Sequence, residues 1–551
     1  MTTHLGAKTL FFWGAGATAT VGQRGTVLQA VFLKKLTGTK GGEPLEQRAR
    51  AALDKVSAVW DTHLIDLLHI LGDSDSNTEV TDIFTVTDAA MAAICRHWPD
   101  KTDDAIELRI RELRSLFDWL ALKEIIKICP AFDEEKDFLL NDLFNILDMH
   151  IQSGHGFRTH DDHFIQHSRI LAARKALKML LHTLIYIDWQ NARTDESYKL
   201  ELEKYHQFAR ILAEHHQEQG LQLANEHKLD TREFYLADIA FVSLNYDPIC
   251  LWSQFYANWD CNKHFPPHVD IPRVPLKIFH DLAHFMAGSR IGEPEKNKAH
   301  LWYPMNEASA QRLNDREHVT GRRVRIQKFF FPHGCVCWRE CPSCGKLTSY
   351  LGQKWEKNST ALIPPPPLKG FWDAGTLQPR LDTDEEKKWA DGRVDARACA
   401  HCNTLTYTQH TTTIMQSNFK GTPPPFIQEI QNDLRVAVEA AKHIILFGYS
   451  LPPDDVTYRA FFAARRKKKD TEVVKCSVVV GTEYGDVWYE AAEIDGLLNK
   501  MKQNESPATT IQAARDLFGK DNVRFYGGGI PNVFCDGNTA IKEKFHRLIT
   551  W

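Results

Sequence analysis

No apolar run in the 551-residue sequence is long enough to cross a bilayer. The longest, such as ALKMLLHTLIYIDW from Ala176, are interrupted by Lys178 and His182. A spanning helix needs roughly 18 apolar residues, so no membrane-embedded segment is expected. Charge of one sign is lacking too: 67 Lys and Arg against 71 Asp and Glu leave a formal net charge of −4. That balance carries no electrostatic footprint for nucleic acid or for an acidic membrane. Glycine, proline and serine dominate no long stretch, which argues against a large disordered tail. There is no internal repeat.

Cysteine is present but unevenly placed. Cys95, Cys129, Cys250, Cys261, Cys476 and Cys535 are scattered singly, and the rest lie between Cys335 and Cys402. Without a convincing export signal, this distribution implies reduced cytoplasmic thiols and one metal site. The stretch KTLFFWGAGATATVGQRG (8–25) superficially resembles a secretory signal. It is better read as a buried strand entering a glycine-rich turn and then a helix.

Short β-rich runs recur at TLFFW (9–13), DIAFVSL (238–244), RIQKFFF (325–331), HIILFG (443–448), CSVVVG (476–481) and VRFYG (523–527). Several are continuously apolar, as strands covered on both faces must be. Helical sequence such as 428–442 separates them. The expected fold is therefore α/β: a Rossmann-type, doubly wound parallel sheet of about six strands. Helical periodicity without strand signal fills much of 41–235, read as an α-helical insertion. Residues 1–40, 236–332 and 423–551 then form the sheet domain, and 333–422 form a loop-rich module framed by proline clusters.

GAGATA at 14–19 fits G-x-G-x-x-A, in which Gly14 allows a tight turn and Gly16 a close approach to a pyrophosphate. The acidic residue that a dehydrogenase places about twenty positions later has no strand end to sit on here, which disfavours an ordinary NAD dehydrogenase. Other polar clusters follow the predicted strands: Asn245 and Asp247, then His333, then Gly448, Tyr449 and Ser450. Ligands of open α/β sheets bind beyond the carboxyl ends of the strands, so these clusters are expected to converge on one crevice. Asp454 and Asp455 are read as helix caps. Cys341 and Cys344 in CPSC, with Cys399 and Cys402 in CAHC, supply four thiolates for a closed, structural tetrahedral zinc. Cys335 and Cys337 are read as packing residues.

The order GAGAT, N-Y-D, H-G, two C-x-x-C pairs and a strand ending G-Y-S-L resembles the sirtuin superfamily. The GYSLPPDD version is similar to the bacterial sirtuin-like branch of antiphage defence. The resemblance implies that Gly14, Ala15, Gly16, Ala17 and Thr18 touch the phosphates and ribose of NAD. It implies that Asn245, Asp247 and His333 line the nicotinamide-ribose pocket, and that Gly448, Tyr449 and Ser450 hold the adenosine side. Where sirtuin deacylases carry a G-I-P-D-F-R-like loop, this chain reads TVGQRGTVLQ, and Arg24 is a candidate anion contact. The expected activity is hydrolysis of NAD to nicotinamide and ADP-ribose, restrained by self-assembly or by a partner such as an ATPase. A protein deacylase and a nucleotide-binding sensor without turnover remain as alternatives.

Overall fold

Among the described residues, seven parallel strands build the main sheet: β1 (Thr9–Trp13), β2 (Ile239–Ser243), β3 (Leu276–Asp281), β4 (Arg323–Phe330), β5 (His443–Phe447), β6 (Lys475–Val479) and β7 (Val523–Tyr526). The order across the sheet is β7-β6-β5-β1-β2-β4-β3, with short antiparallel strands Trp488–Tyr489 and Met286–Ala287 at the two edges. The helices associated with it are α1 (Glu196–Asn225), α2 (Ile249–His264), α3 (Pro425–Ala440), α4 (Val456–Lys467), α5 (Ser506–Phe518) and α6 (Lys542–Ile549). This computed structural model describes residues 7–21, 118–129, 140–178, 196–264, 276–287, 323–349, 412–419 and 423–551, apart from isolated positions and short gaps within them.

The chain falls into two units. The sheet unit comprises Met1–Val21, Glu196–Cys335 and Pro424–Trp551; the other comprises Gly22–Asp195 and Val336–Pro423. In the second unit, Asp118 caps the helix Trp119–Lys127 by accepting from the Ala121 N–H at 2.8 Å, and it also pairs with Arg169 at 2.7 Å. The described part of that unit also holds the helix Leu140–Ser153 and two short hairpins, Phe157–Arg158 with Phe164–Ile165 and Trp338–Glu340 with Leu347–Ser349.

β1 shows why its sequence is apolar from Leu10 to Trp13. Successive strand residues face opposite sides of a sheet. Phe11 meets Phe208 of α1 at a ring-centroid distance of 6.3 Å, while Phe12 meets Phe462 of α4 at 5.0 Å. Trp13 returns to the first face and packs on Tyr205 of α1 at 5.8 Å. With helices on both faces, no position of β1 faces water, and each buried ring contributes roughly 2 kcal/mol.

All six expected strands are present, but the sheet has a seventh parallel strand. β3 reads Leu-Lys-Ile-Phe-His-Asp, which mixes polar with apolar residues. Its only adjacent apolar pair is Ile278–Phe279, whereas even the mixed β4 runs into three consecutive phenylalanines, Phe329–Phe331. It pairs with β4 from Leu276 opposite Arg323 to Asp281 opposite Lys328. The expected helix after Val21 and the first part of the expected α-helical insertion, 41–117, lie outside the described residues.

The register fixes where the loops emerge. Trp13 lies opposite both Phe447 and Ser243, and Val242 lies opposite Phe330. β1, β2, β4 and β5 therefore end at one edge of the sheet. The chain leaves β1 toward β2 on one side, while β5 begins the outward series on the other. The carboxyl ends of β1 and β5 thus flank the point where strand order reverses, the usual ligand position in such sheets.

Candidate functional site at the carboxyl edge of the sheet

The turn after β1 is held from two sides. Gly14, extended at φ −104° and ψ −176°, leads into a single 3-10 turn at Ala15–Ala17. Its N–H donates to Phe447 O at 3.0 Å, and the Gly16 N–H donates to Gly448 O at 2.9 Å. The Ala17 and Thr18 N–H groups close the turn onto Gly14 O and Ala15 O. Tyr205 of α1 donates its hydroxyl to Ala17 O. Four backbone N–H groups of the glycine-rich turn thus already have acceptors within the protein.

Gly448 is the counterpart of this turn. It sits at φ +63°, where a side chain is strained, and a Cβ there would lie 2.1 Å from Ala17 N. A Cβ on Gly14 would meet Gly448 O at 2.6 Å. The glycines allow the loops after β1 and β5 to touch backbone to backbone. Tyr449 turns its ring over Phe12, 6.3 Å between centroids, and donates its hydroxyl to Asp455 at 2.5 Å. The Ser450 side is exposed, and its carbonyl accepts from Thr510 Oγ1 at 3.0 Å.

The loop after β2 joins this pair through side chains. Asn245, buried at 6% exposure, donates from Nδ2 to Gly14 O at 3.0 Å and to Thr18 Oγ1 at 3.1 Å. A carbonyl can only accept, so the contact with Gly14 fixes which end of the amide points there. The Thr18 hydroxyl in turn lies 3.3 Å from Asp247 Oδ2. Asp247 Oδ1 accepts from the Ile249 N–H at 3.0 Å and so caps α2. Burial pushes the Asp247 carboxyl up to about 6, partly offset by its bonds from Ile249, Thr18 and Asn245.

His333 completes the cluster from the loop after β4. Its Nδ1 lies 3.3 Å from Leu244 O, beside Asn245 in the chain. Leu244 O accepts only, so Nδ1 carries the proton of the neutral ring and Nε2 keeps the lone pair. That nitrogen accepts from the Tyr458 hydroxyl of α4 at 2.9 Å. Tyr458 is itself buried, and its phenol is pushed well above the usual range by burial and by the Asp455 and Tyr246 groups. Cys335, buried beside His333, places its sulfur 3.6 Å from Tyr246 O, a packing role.

Gly14, Ala15, Gly16, Ala17, Thr18, Asn245, Asp247, His333, Gly448, Tyr449 and Ser450 thus sit on the loops of one sheet edge. Arg24 and Asp454 lie outside the described residues. Tyr458 and Tyr205 belong to the same network yet carry no sequence signal, because an aromatic at a helical core position looks the same whether or not its hydroxyl bonds a functional group.

The cysteine knuckle belongs to the other unit. Cys341 and Cys344 lie on the tight turn between the strands Trp338–Glu340 and Leu347–Ser349, closed by the Gly345 N–H on Cys341 O at 2.9 Å with Gly345 at φ +65°. Cys341 is buried and Cys344 exposed. One such turn offers half of a tetrahedral thiolate set. Cys337, Cys399 and Cys402 lie outside the described residues, and no group of three metal-capable side chains occurs among the described ones. No helix among the described residues is long and apolar enough to cross a membrane.

No protein-family model matches the sequence, and no curated protein matches it significantly.

Proposed function

We propose that the sheet unit hydrolyses NAD at its nicotinamide–ribose bond, in the manner expected of a sirtuin-like NADase. One observation carries this reading: Asn245, Asp247 and His333 gather with the Gly14–Thr18 turn where strand order reverses. Nicotinamide leaves as a neutral molecule, so the reaction needs little acid assistance. The ribose becomes oxocarbenium-like, and an Asp247 carboxylate is suited to stabilise that charge. Water oxygen bonds to the anomeric carbon as the carbon–nitrogen bond breaks and its electron pair returns to the pyridine ring. The water proton passes to His333 Nε2. Asn245 orients the ribose by holding the first turn and the second loop in one geometry. The thiolates of Cys341, Cys344, Cys399 and Cys402 would hold a zinc ion with a structural role.

The test is incubation of the purified chain with NAD and chromatographic separation of products. Nicotinamide and ADP-ribose are expected, with both lost in Asn245→Ala and His333→Ala; undiminished turnover in both variants refutes the site. A second reading, a nucleotide-binding subunit without turnover, is favoured by the Tyr458 hydroxyl, which occupies the His333 Nε2 lone pair that a general base would use. It predicts saturable NAD binding with no product.

A further inference from the structure

We propose that Tyr458 is a positioning residue that caps the basic nitrogen of His333, so that α4 restrains the site in the resting molecule. The two nitrogens of His333 are held by different elements: Nδ1 by the Leu244 carbonyl after β2, and Nε2 by the Tyr458 hydroxyl on α4. The first contact sets ring orientation and tautomer. The second occupies the lone pair that any proton acceptance must use. Exposure is 4% at His333 and 2% at Tyr458, so neither group meets its partner through solvent. A substrate hydroxyl or water reaches Nε2 only by displacing the phenol.

Displacing the phenol means moving the Tyr458 side chain on α4, whose approach is fixed at its start. Leu451, in the loop leading to α4, takes a left-handed conformation at φ +53°, and Asp455 is tied back to Tyr449. The Tyr458 ring rests on Phe12 and Phe461 at 6.3 Å each. A phenylalanine at 458 preserves those ring contacts and leaves Leu244 holding Nδ1. Tyr458→Phe therefore removes the cap without removing the orientation.

The activity arm of the test rests on the proposed hydrolysis; the chemical arm does not. Diethyl pyrocarbonate acylates unprotonated imidazole nitrogen, and peptide mass spectrometry reports its rate at each histidine. In the unmodified sequence His333 should react far more slowly than exposed His155. Tyr458→Phe should accelerate His333 by roughly fivefold, the factor that one net hydrogen bond withholds. His155 should not change, nor should His443, a buried histidine held by Ser477 and Ile549 that general loosening would also expose. NAD cleavage should rise by a similar factor. An unchanged His333 rate in the variant overturns the cap, and so does parallel acceleration of His443. Faster His333 acylation with slower NAD cleavage makes Tyr458 a participant and overturns the restraint. Faster acylation with no cleavage in either protein leaves the cap standing and removes the hydrolase reading.

Discussion

Gly16 and Gly448 meet backbone to backbone, with the Gly16 N–H on Gly448 O at 2.9 Å and Gly448 at φ +63°. An added Cβ on Gly448 would overlap Ala17 N and Gly16 C, at 2.1 and 2.5 Å. Gly448→Ala combines a strained backbone with overlap against main chain, which together cost about 3 kcal/mol or more. Gly14→Ala meets Gly448 O and Tyr449 Cα at 2.6 and 2.7 Å, while Gly16→Ala meets Gly448 O at 3.0 Å. Urea unfolding should therefore rank the losses Gly448→Ala, then Gly14→Ala, then Gly16→Ala. Wild-type stability in Gly448→Ala would mean that the two loops do not touch.

Asn245 connects the loops after β1 and β2 through one amide nitrogen. Asn245→Ala strips a donor from two buried oxygens and should cost about 2 kcal/mol. Asn245→Asp should cost more at neutral pH, since it turns an acceptor toward Gly14 O and adds a charge near buried Asp247. Protonation restores one donor and removes the charge, so the aspartate variant should gain on the alanine variant and move toward wild type on acidification. Denaturation curves at several pH values check the order; an aspartate variant as stable as wild type at neutral pH would contradict it.

Asp247 gives the fold a pH dependence of unusual sign. Its folded value is raised from 3.8 to about 6. The native state therefore holds a proton that the unfolded chain releases across that window, and the Asp247 contribution to stability falls as pH rises from about 4 to about 6. Asp247→Asn can still accept from the Ile249 N–H and does not ionise. It should match wild type below the window and exceed it above, by on the order of 2 kcal/mol. A variant less stable than wild type above that window would show that the carboxylate is better satisfied than its burial implies.

Much of this was legible in the residues, for identifiable reasons. β1, β2 and β5 are buried on both faces, so four of the five residues in each are consecutive and apolar, and the polar residues that follow them mark the loop edge directly. β3 was not legible, because Lys277, His280 and Asp281 leave only the pair Ile278–Phe279 as an apolar run, while the equally mixed β4 is marked by Phe329, Phe330 and Phe331. The Asn245–Gly14 and His333–Leu244 contacts join residues 231 and 89 positions apart. Residue type suggested Asn245 and His333, but only strand order and register bring them together. Tyr458 was illegible for the opposite reason: local sequence gives its helix and its burial, but not the imidazole that its hydroxyl finds.

The cysteine knuckle offers a contrast between thiols that resemble each other in sequence. Cys341 opens a tight turn closed by left-handed Gly345, whereas Cys335 lies in the sheet unit with its sulfur against Tyr246 O. If the proposed thiolate set binds metal, the purified protein should contain about one zinc per chain, the complement of a four-cysteine structural site. Cys341→Ser should lower that content severalfold and expose the Gly22–Asp195 and Val336–Pro423 unit to proteolysis, because metal binding and folding are coupled in such modules. Cys335→Ser should leave zinc content unchanged. Elemental analysis with limited proteolysis reads both outcomes. Equal zinc in the Cys341 variant and the wild type would remove the knuckle from the metal site, and an equal loss in both variants would show that general unfolding had released the ion.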